Sequence, residues 1–290
     1  LKQFWLQQVG SSQVGSTARL LLATVAPRAG AHAMASHPAG AAEKAPRASV
    51  WICGSTGDAH PAMALGLALR ARGFEVQVAC NTNYVLAAER LGFSVVGFEP
   101  DMRKLCESEP VRKFMNGSTT AMFKVEEPFA VRVERLRVLR EACQNFKPDV
   151  VLWPGLLAKE AAVLELLLGV CTIRYQLQPQ CATRDMPPVL LHKAPFGWNS
   201  PWWTMLHALT CMDMKREGGR VASEAFGVDP FRKASAAAWG HFGLRGNRHR
   251  LTICGVSEHI LPRVPPDWPR PTATGGMHMT GWGMLDPADQ

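Results

Sequence analysis

No pair of cysteines in this chain stands in a CxxC arrangement, and no histidine cluster completes a zinc-binding pattern around its eight cysteines. A structural zinc site is therefore excluded, and no metal is expected. No apolar run reaches the roughly 18 residues needed to span a membrane. The longest candidate, residues 161–170, is interrupted by Glu165. The dinucleotide fingerprint GxGxxG is missing, and so is the Gly-Lys-Ser/Thr of a P-loop, so nucleotide binding at a glycine-rich turn is poorly supported. There is no internal repeat. Residues 1–42 contain no acid, and Met34 is the first methionine. An Ala/Ser/Gly-rich, acid-free start resembles a transit peptide in composition, and a fragmentary or mistranslated start explains it equally well. Residues 1–45 are accordingly expected to be disordered or targeting-like, and they are set aside in reasoning about the fold.

What remains is rich in core-forming residues. Hydrophobic residues make up 47% of the 290 and charged ones 19%, which predicts a sizeable core. The formal net charge is +8. Its basic residues are scattered, and the densest cluster, residues 245–250, reads as a solvated loop. That argues against nucleic acid as a partner and leaves anionic lipid or nucleotide phosphate. Cys53, Cys80 and Cys254 sit in apolar, strand-like runs and read as buried free thiols of a reducing, cytoplasmic compartment.

Hydrophobic periodicity lays out a repeating pattern. Residues 48–53, 75–80 and 93–98 read as strands, with helices over 62–72 and 83–91 between them, each stopped by a glycine. This is a parallel βαβαβ unit. An irregular excursion over 99–124 precedes a long helix over 125–146, a strand over 150–153, a helix over 157–168 and a strand over 170–175. Residues 176–201 are too rich in Pro, Gln and Asn for a regular element. Residues 202–226 suit a helix broken at Gly218-Gly219, and 251–254 a last strand. The fold class is therefore α/β, a Rossmann-like, doubly wound parallel sheet. One domain is expected over 46–255, with an extended linker over 256–290.

The most informative segment is Val50–Pro61. An apolar strand runs into the turn Gly54-Ser55-Thr56-Gly57, the turn ends in Asp58, and Pro61 is expected to open the helix. This places Asp58 at the carboxyl edge of the first strand, where open α/β sheets bind ligands. A carboxylate there can act as a general base. It can equally be the N-cap of the helix. His60 is a second candidate base, with a structural or solvent-facing role as its alternative. Gln176, Gln178 and Gln180 follow a strand and share the same edge, either bonding a ligand hydroxyl or satisfying their own loop. Trp202-Trp203 with Met205 and Leu206 reads as core packing or as the wall of a flat apolar site.

Residues 54–76, Gly-Ser-Thr-Gly-Asp-Ala-His-Pro through Gly-Phe-Glu-Val, resemble the start of the GT-B glycosyltransferases. The nearest resemblance is to the sterol 3-beta-glucosyltransferases and the related family 28 and family 1 enzymes. Leu91-Gly92-Phe93 through Pro100-Asp101, Lys147-Pro148-Asp149, Leu177-Gln178-Pro179 with Thr183 and Pro187, Pro266-Asp267-Trp268-Pro269 and Thr280-Gly281-Trp282 are similar in the same order. The pairs Ala59-His60 and Cys181-Ala182 depart from the family pattern at positions that bear on the acceptor. The resemblance implies two Rossmann-like domains, this one for the acceptor and a second for the nucleotide sugar. It implies Asp58 as the base of an inverting transfer from a UDP-sugar to a sterol or other lipid-like alcohol. Gly54, Ser55, Thr56 and Gly57 shape the turn, and Gln178, Thr183, Trp202 and Trp203 are acceptor contacts. The UDP-sugar is a co-substrate, and no further cofactor is implied. Nothing like the donor signature is present, which suggests a truncated reading frame or an acceptor subunit working with a separate donor-domain subunit. A chain of this kind is expected to be inactive alone. The alternative is a catalytically silent lipid-binding module. A lipid acceptor also implies peripheral membrane contact.

Overall fold

A computed structural model describes residues 44–116, 127–188, 197–244, 247, 249–256, 261, 263–272 and 275–281. The N-terminal segment through residue 43, and Trp282 onward, lie outside the described residues. Seven parallel strands form one sheet in the order β3-β2-β1-β4-β5-β6-β7. They are β1 (Arg47–Ile52), β2 (Glu75–Asn81), β3 (Ser94–Phe98), β4 (Val150–Trp153), β5 (Thr172–Gln176), β6 (Leu251–Cys254) and β7 (Gly276–Met279). The strands are continuous apolar runs because helices cover both faces of the sheet. On one face Ala48, Val50 and Ile52 of β1 pack with Ala59, Ala62, Met63 and Leu69 of α1 (Thr56–Arg70). α2 (Val85–Arg90) extends that layer beside β3. On the other face Trp51, Val151 and Trp153 meet Val133, Leu136 and Leu139 of α5 (Phe129–Phe146) and Ala161–Leu164 of α6 (Ala158–Leu168). Two short helices, α3 (Met102–Glu107) and α4 (Glu109–Met115), occupy the excursion after β3.

Three elements differ from the sequence expectation, each for a local reason. α1 begins at Thr56 rather than beyond Pro61, because Ser55 and Asp58 together nucleate it. Pro61 lies in the second turn and forgoes one backbone bond to Gly57. α5 begins only at Phe129, because Pro128 disfavours helical backbone in the residue before it. The sheet also continues past Cys254. β7 pairs with β6 along Leu251–Cys254, so the expected boundary after residue 255 falls between two paired strands. This strand was missed because it is only four residues long and follows a proline-dense stretch. Gly276 is at φ +81°, and a Cβ there would lie 2.0 Å from the Arg270 carbonyl oxygen, so glycine alone lets the 265–271 segment close on β7.

The expected break at Gly218-Gly219 is a π-helical turn, Met214–Gly218, between α7 (Asn199–Asp213) and α8 (Gly219–Phe226). A Cβ on Gly218 would press on the Phe231 ring at 3.1 Å, and one on Gly219 would meet Asp229 Oδ1 at 2.7 Å. The glycines thus admit the 229–231 segment against the helix. A four-residue helix, α9 (Ala236–Trp239), follows. Between the layers, Arg135 of α5 is buried with Glu160 of α6, Nε and Nη2 donating to Oε1 at 2.9 and 2.6 Å. Arg135 Nη1 donates to Glu127. Cys53, Cys80 and Cys254 are buried free thiols, and burial pushes Cys53 and Cys80 up to about 12.

Candidate active site at the carboxyl edge of the sheet

The winding direction reverses between β1 and β4. From β1 the chain moves outward to β2 and β3, then returns to β4 and proceeds the other way. The loops after β1 and β4 consequently leave toward opposite faces and open a crevice at the strands' carboxyl ends. Gly54–Asp58 forms one lip. Pro154–Leu157, with Leu156 exposed, forms the other.

Asp58 is the third residue of α1, and Ser55 is the N-cap. The Asp58 carboxylate oxygen Oδ2 accepts from the Ser55 backbone N–H at 2.8 Å and from Ser55 Oγ at 3.0 Å. Among the described residues no hydrogen bond falls on Oδ1. The side chain is half-buried. Gly54, at φ +138°, is what admits it, since a Cβ there would lie 2.3 Å from Oδ2. The turn is pinned from the neighbouring strand. Asn81 Oδ1 accepts from the Gly54 N–H at 3.3 Å, Asn81 Nδ2 donates to the Pro100 carbonyl at 2.9 Å, and the Tyr84 hydroxyl donates to the Gly54 carbonyl at 3.2 Å. Beneath it, the Tyr175 hydroxyl donates to the Trp51 carbonyl at 2.6 Å. Burial pushes that phenol well above its ordinary range, and the Asp58 charge adds to the effect. Asn81 and Tyr84 were not singled out from the sequence. The available signal was an asparagine ending an otherwise apolar strand, where side-chain amides rarely go unused.

The other expected site residues scatter. Ser55, Thr56 and Gly57 are exposed beside Asp58. His60 is half-buried two positions along α1, a spacing that does not put two side chains on one face. Gln178 is exposed after β5, two strand spacings from β1, about 10 Å. It accepts from Gln180 Nε2 at 3.4 Å, and Gln180 Oε1 in turn accepts from Arg174 at 3.4 Å. Thr183 is only 3% exposed and donates to Asp267 Oδ1 at 2.7 Å. Trp203 is 2% exposed and donates its Nε1–H to the Met186 carbonyl at 2.9 Å. These two expected acceptor contacts therefore point their polar atoms inward, and what they hold is the 181–188 loop. Trp202 is half-buried.

A hollow of about 920 Å³ opens at the opposite edge of the sheet, lined by Lys147, Asp149, Glu165, Gly169 and Arg250 among others. It lies at the amino ends of the strands and shares no residue with the crevice. The switch-point geometry favours the crevice as the ligand site. Among the described residues no three His, Cys, Asp or Glu side chains converge as a metal site, and no helix is long and apolar enough to cross a membrane.

Fold and crevice together define an open, doubly wound α/β domain with a carboxylate at its switch point. No family model matches the chain, and no curated protein matches it. Among solved structures it is similar to the glycotransferase of kitacinnamycin, at 18% identity over 86% of this chain and 54% of that one, with a TM-score of 0.47. It is similar to the spinosyn forosaminyltransferase SpnP, at 15% identity over 83% and 51%, TM-score 0.47. It is also similar to the Streptomyces sp. SF2575 glycosyltransferase SsfS6 complexed with thymidine diphosphate, at 19% identity over 72% and 49%, TM-score 0.39. The chain spans about half the length of the solved structures it matches.

Proposed function

We propose that this chain is the acceptor-binding half of an inverting glycosyltransferase that uses a UDP-sugar and acts on a sterol or other lipid-like alcohol. The observation that carries the reading is Asp58. Its carboxylate stands at the switch-point crevice, oriented through Oδ2 by Ser55 and admitted by Gly54, with Oδ1 left to take a proton. The ordered likeness of residues 54–76 and the later segments to the sterol 3-beta-glucosyltransferases supports the same reading.

In this chemistry an acceptor hydroxyl gives its proton to Asp58 as its oxygen attacks the anomeric carbon. The bond from that carbon to the nucleoside diphosphate breaks, and the diphosphate leaves with the electron pair. Attack opposite the leaving group inverts the centre. The diphosphate would be bound by a second domain or a separate subunit. An apolar acceptor, and peripheral contact with the membrane that holds it, fit the exposed side chains of Trp198, Met205, Leu209 and Met212 on and before α7.

A second reading is a catalytically silent lipid-binding module. The observation that favours it is that both hydrogen bonds to Asp58 belong to the cap of α1, a structural use of the carboxylate. The two readings part on Asp58→Asn in an enzyme that joins this chain to a donor-binding domain. As a base, Asp58 accounts for a loss of about 10²–10⁴ in kcat with little change in acceptor KM. Turnover near that of the unsubstituted enzyme would sink the base assignment. Lipid binding without turnover in either enzyme would establish the module.

A further inference from the structure

Arg174 of β5 is buried without a counter-charge. Its side chain is 8% exposed, and it forms no ion pair among the described residues. Nη1 donates to the Gly243 carbonyl at 3.0 Å and Nη2 to Gln180 Oε1 at 3.4 Å, both neutral acceptors. Nε has no partner. The guanidinium carbon lies 5.9 Å from the centre of the Trp153 ring. The contrast with Arg135 is direct: that arginine is as deeply buried and has two carboxylates. A guanidinium cannot shed its proton in a protein, so Arg174 carries its charge wherever it lies. Burial alone already lowers its affinity for the proton. A buried charge left without compensation costs several kcal/mol, and folded proteins normally pair it.

Beside this guanidinium is a small cavity of about 20 Å³, lined by Trp153, Arg174, Gln176, His241, Arg250 and Met277 among others. Two further polar atoms of lining residues, Gln176 Oε1 and His241 Nε2, are buried without hydrogen-bond partners among the described residues. The volume is enough for one water or one monatomic ion. No carboxylate is among the described lining residues, and Glu165 lies 3.6 Å from His241 Nε2. It is already engaged by Arg250 Nη2 and Thr172 Oγ1, each at 2.6 Å, so its charge is spent outside the cavity.

We infer that this cavity is a halide site, occupied by chloride, which supplies the negative charge that Arg174 lacks. The ion accepts from the free Nε–H of Arg174. With its amide turned over, Gln176 presents its NH₂ to the same ion, an exchange of O and N that leaves the packing unchanged. Arg174 bridges the Gly243 carbonyl to Gln180, and a Cβ on Gly155 would lie 2.9 Å from Gln180 Oε1. The halide thereby fixes the loop after β5 against the crevice lip after β4. This inference does not depend on the glycosyltransferase reading.

The test is thermal unfolding of the purified chain in sodium chloride against sodium gluconate at equal ionic strength. At chloride about tenfold above its dissociation constant, Tm is expected to rise by roughly 3–6 °C, and bromide is expected to replace chloride. Arg174→Met is expected to unfold at the same temperature in both salts. A crystal grown in bromide should show an anomalous peak beside Arg174, which keeps the test decisive even where Arg174→Met does not fold. Equal Tm values for the unsubstituted chain in chloride and gluconate would overturn the proposal and leave a water in the cavity. A chloride effect that survives Arg174→Met, or a bromide peak elsewhere, would overturn it too.

Discussion

At the scale of single residues, Gly54 matters as much as Asp58. The carboxylate can stand where it does only because Gly54, the residue just before its partner Ser55, has no side chain to oppose it. Alanine at this position would hold a left-handed φ of +138° that L residues rarely adopt, and its Cβ would lie 2.3 Å from Asp58 Oδ2. Gly54→Ala is therefore expected to cost about 1–3 kcal/mol in stability, measured by denaturant unfolding. It should also displace the carboxylate, so that turnover in a donor-joined enzyme falls even under conditions where the variant remains folded. A variant of unaltered stability would show that the turn relaxes freely and that Asp58 is not held by it. The position of Asp58 was legible in the sequence, because an apolar strand followed by small residues and an acid has few other arrangements. The inward bonding of Thr183 and Trp203 was not. A threonine in a loop and a tryptophan in a helix read alike whether their polar atoms face a ligand or a neighbouring segment. The choice here is made by Asp267 and the Met186 carbonyl, contacts that no local pattern encodes.

Among the elements, the strands β1 to β6 were legible because each is a short apolar run between glycines or prolines, and their parallel order followed from the helices between them. The element ends were decided by chemistry that is less visible. The Ser55–Asp58 cap advances α1, Pro128 delays α5, and Gly276 lets a proline-rich segment cover an edge strand. The pairing of α5 with α6 through Arg135 and Glu160 was likewise hidden, since nothing in the local pattern of either helix marks one charge for burial against the other. The structure buries them both. Truncating one partner leaves the other charge in the interior. Glu160→Ala is expected to destabilise the chain by about 3–5 kcal/mol, well beyond the effect of an exposed glutamate. Glu134→Ala on the solvent side of α5, whose partner Arg137 is itself half-exposed, should by comparison cost under about 1 kcal/mol. Equal losses for the two variants in urea unfolding would mean that water reaches the Arg135 pair.

For the molecule as a whole, acid is the condition that should expose how the two halves of the sheet are joined. His241 packs against Phe242 with ring centres 4.2 Å apart, beneath β5 and β6. Burial, with the Arg250 charge adding to it, lowers His241 from 6.5 to about 3. Glu165 lies near the ring but is neutralised by Arg250, so it does little to hold a proton on the imidazole. In the unfolded chain the same imidazole titrates near its ordinary value. Above about pH 6.5 it is neutral in both states and adds no pH dependence. Between about 6.5 and 3 the unfolded chain binds a proton that the folded chain refuses, so stability falls as pH falls, by about 1.4 kcal/mol per pH unit for this one group. Below about 3 both states are protonated and this contribution stops growing. His241→Gln removes the term, so unfolding free energies measured from pH 6.5 down to 4 are expected to fall less steeply in the variant, by close to one proton. Parallel curves would show that the ring is already protonated in the fold, with Glu165 rather than burial deciding its state. In that case the region where α6, β5 and β6 meet would be held by an ion network open to solvent.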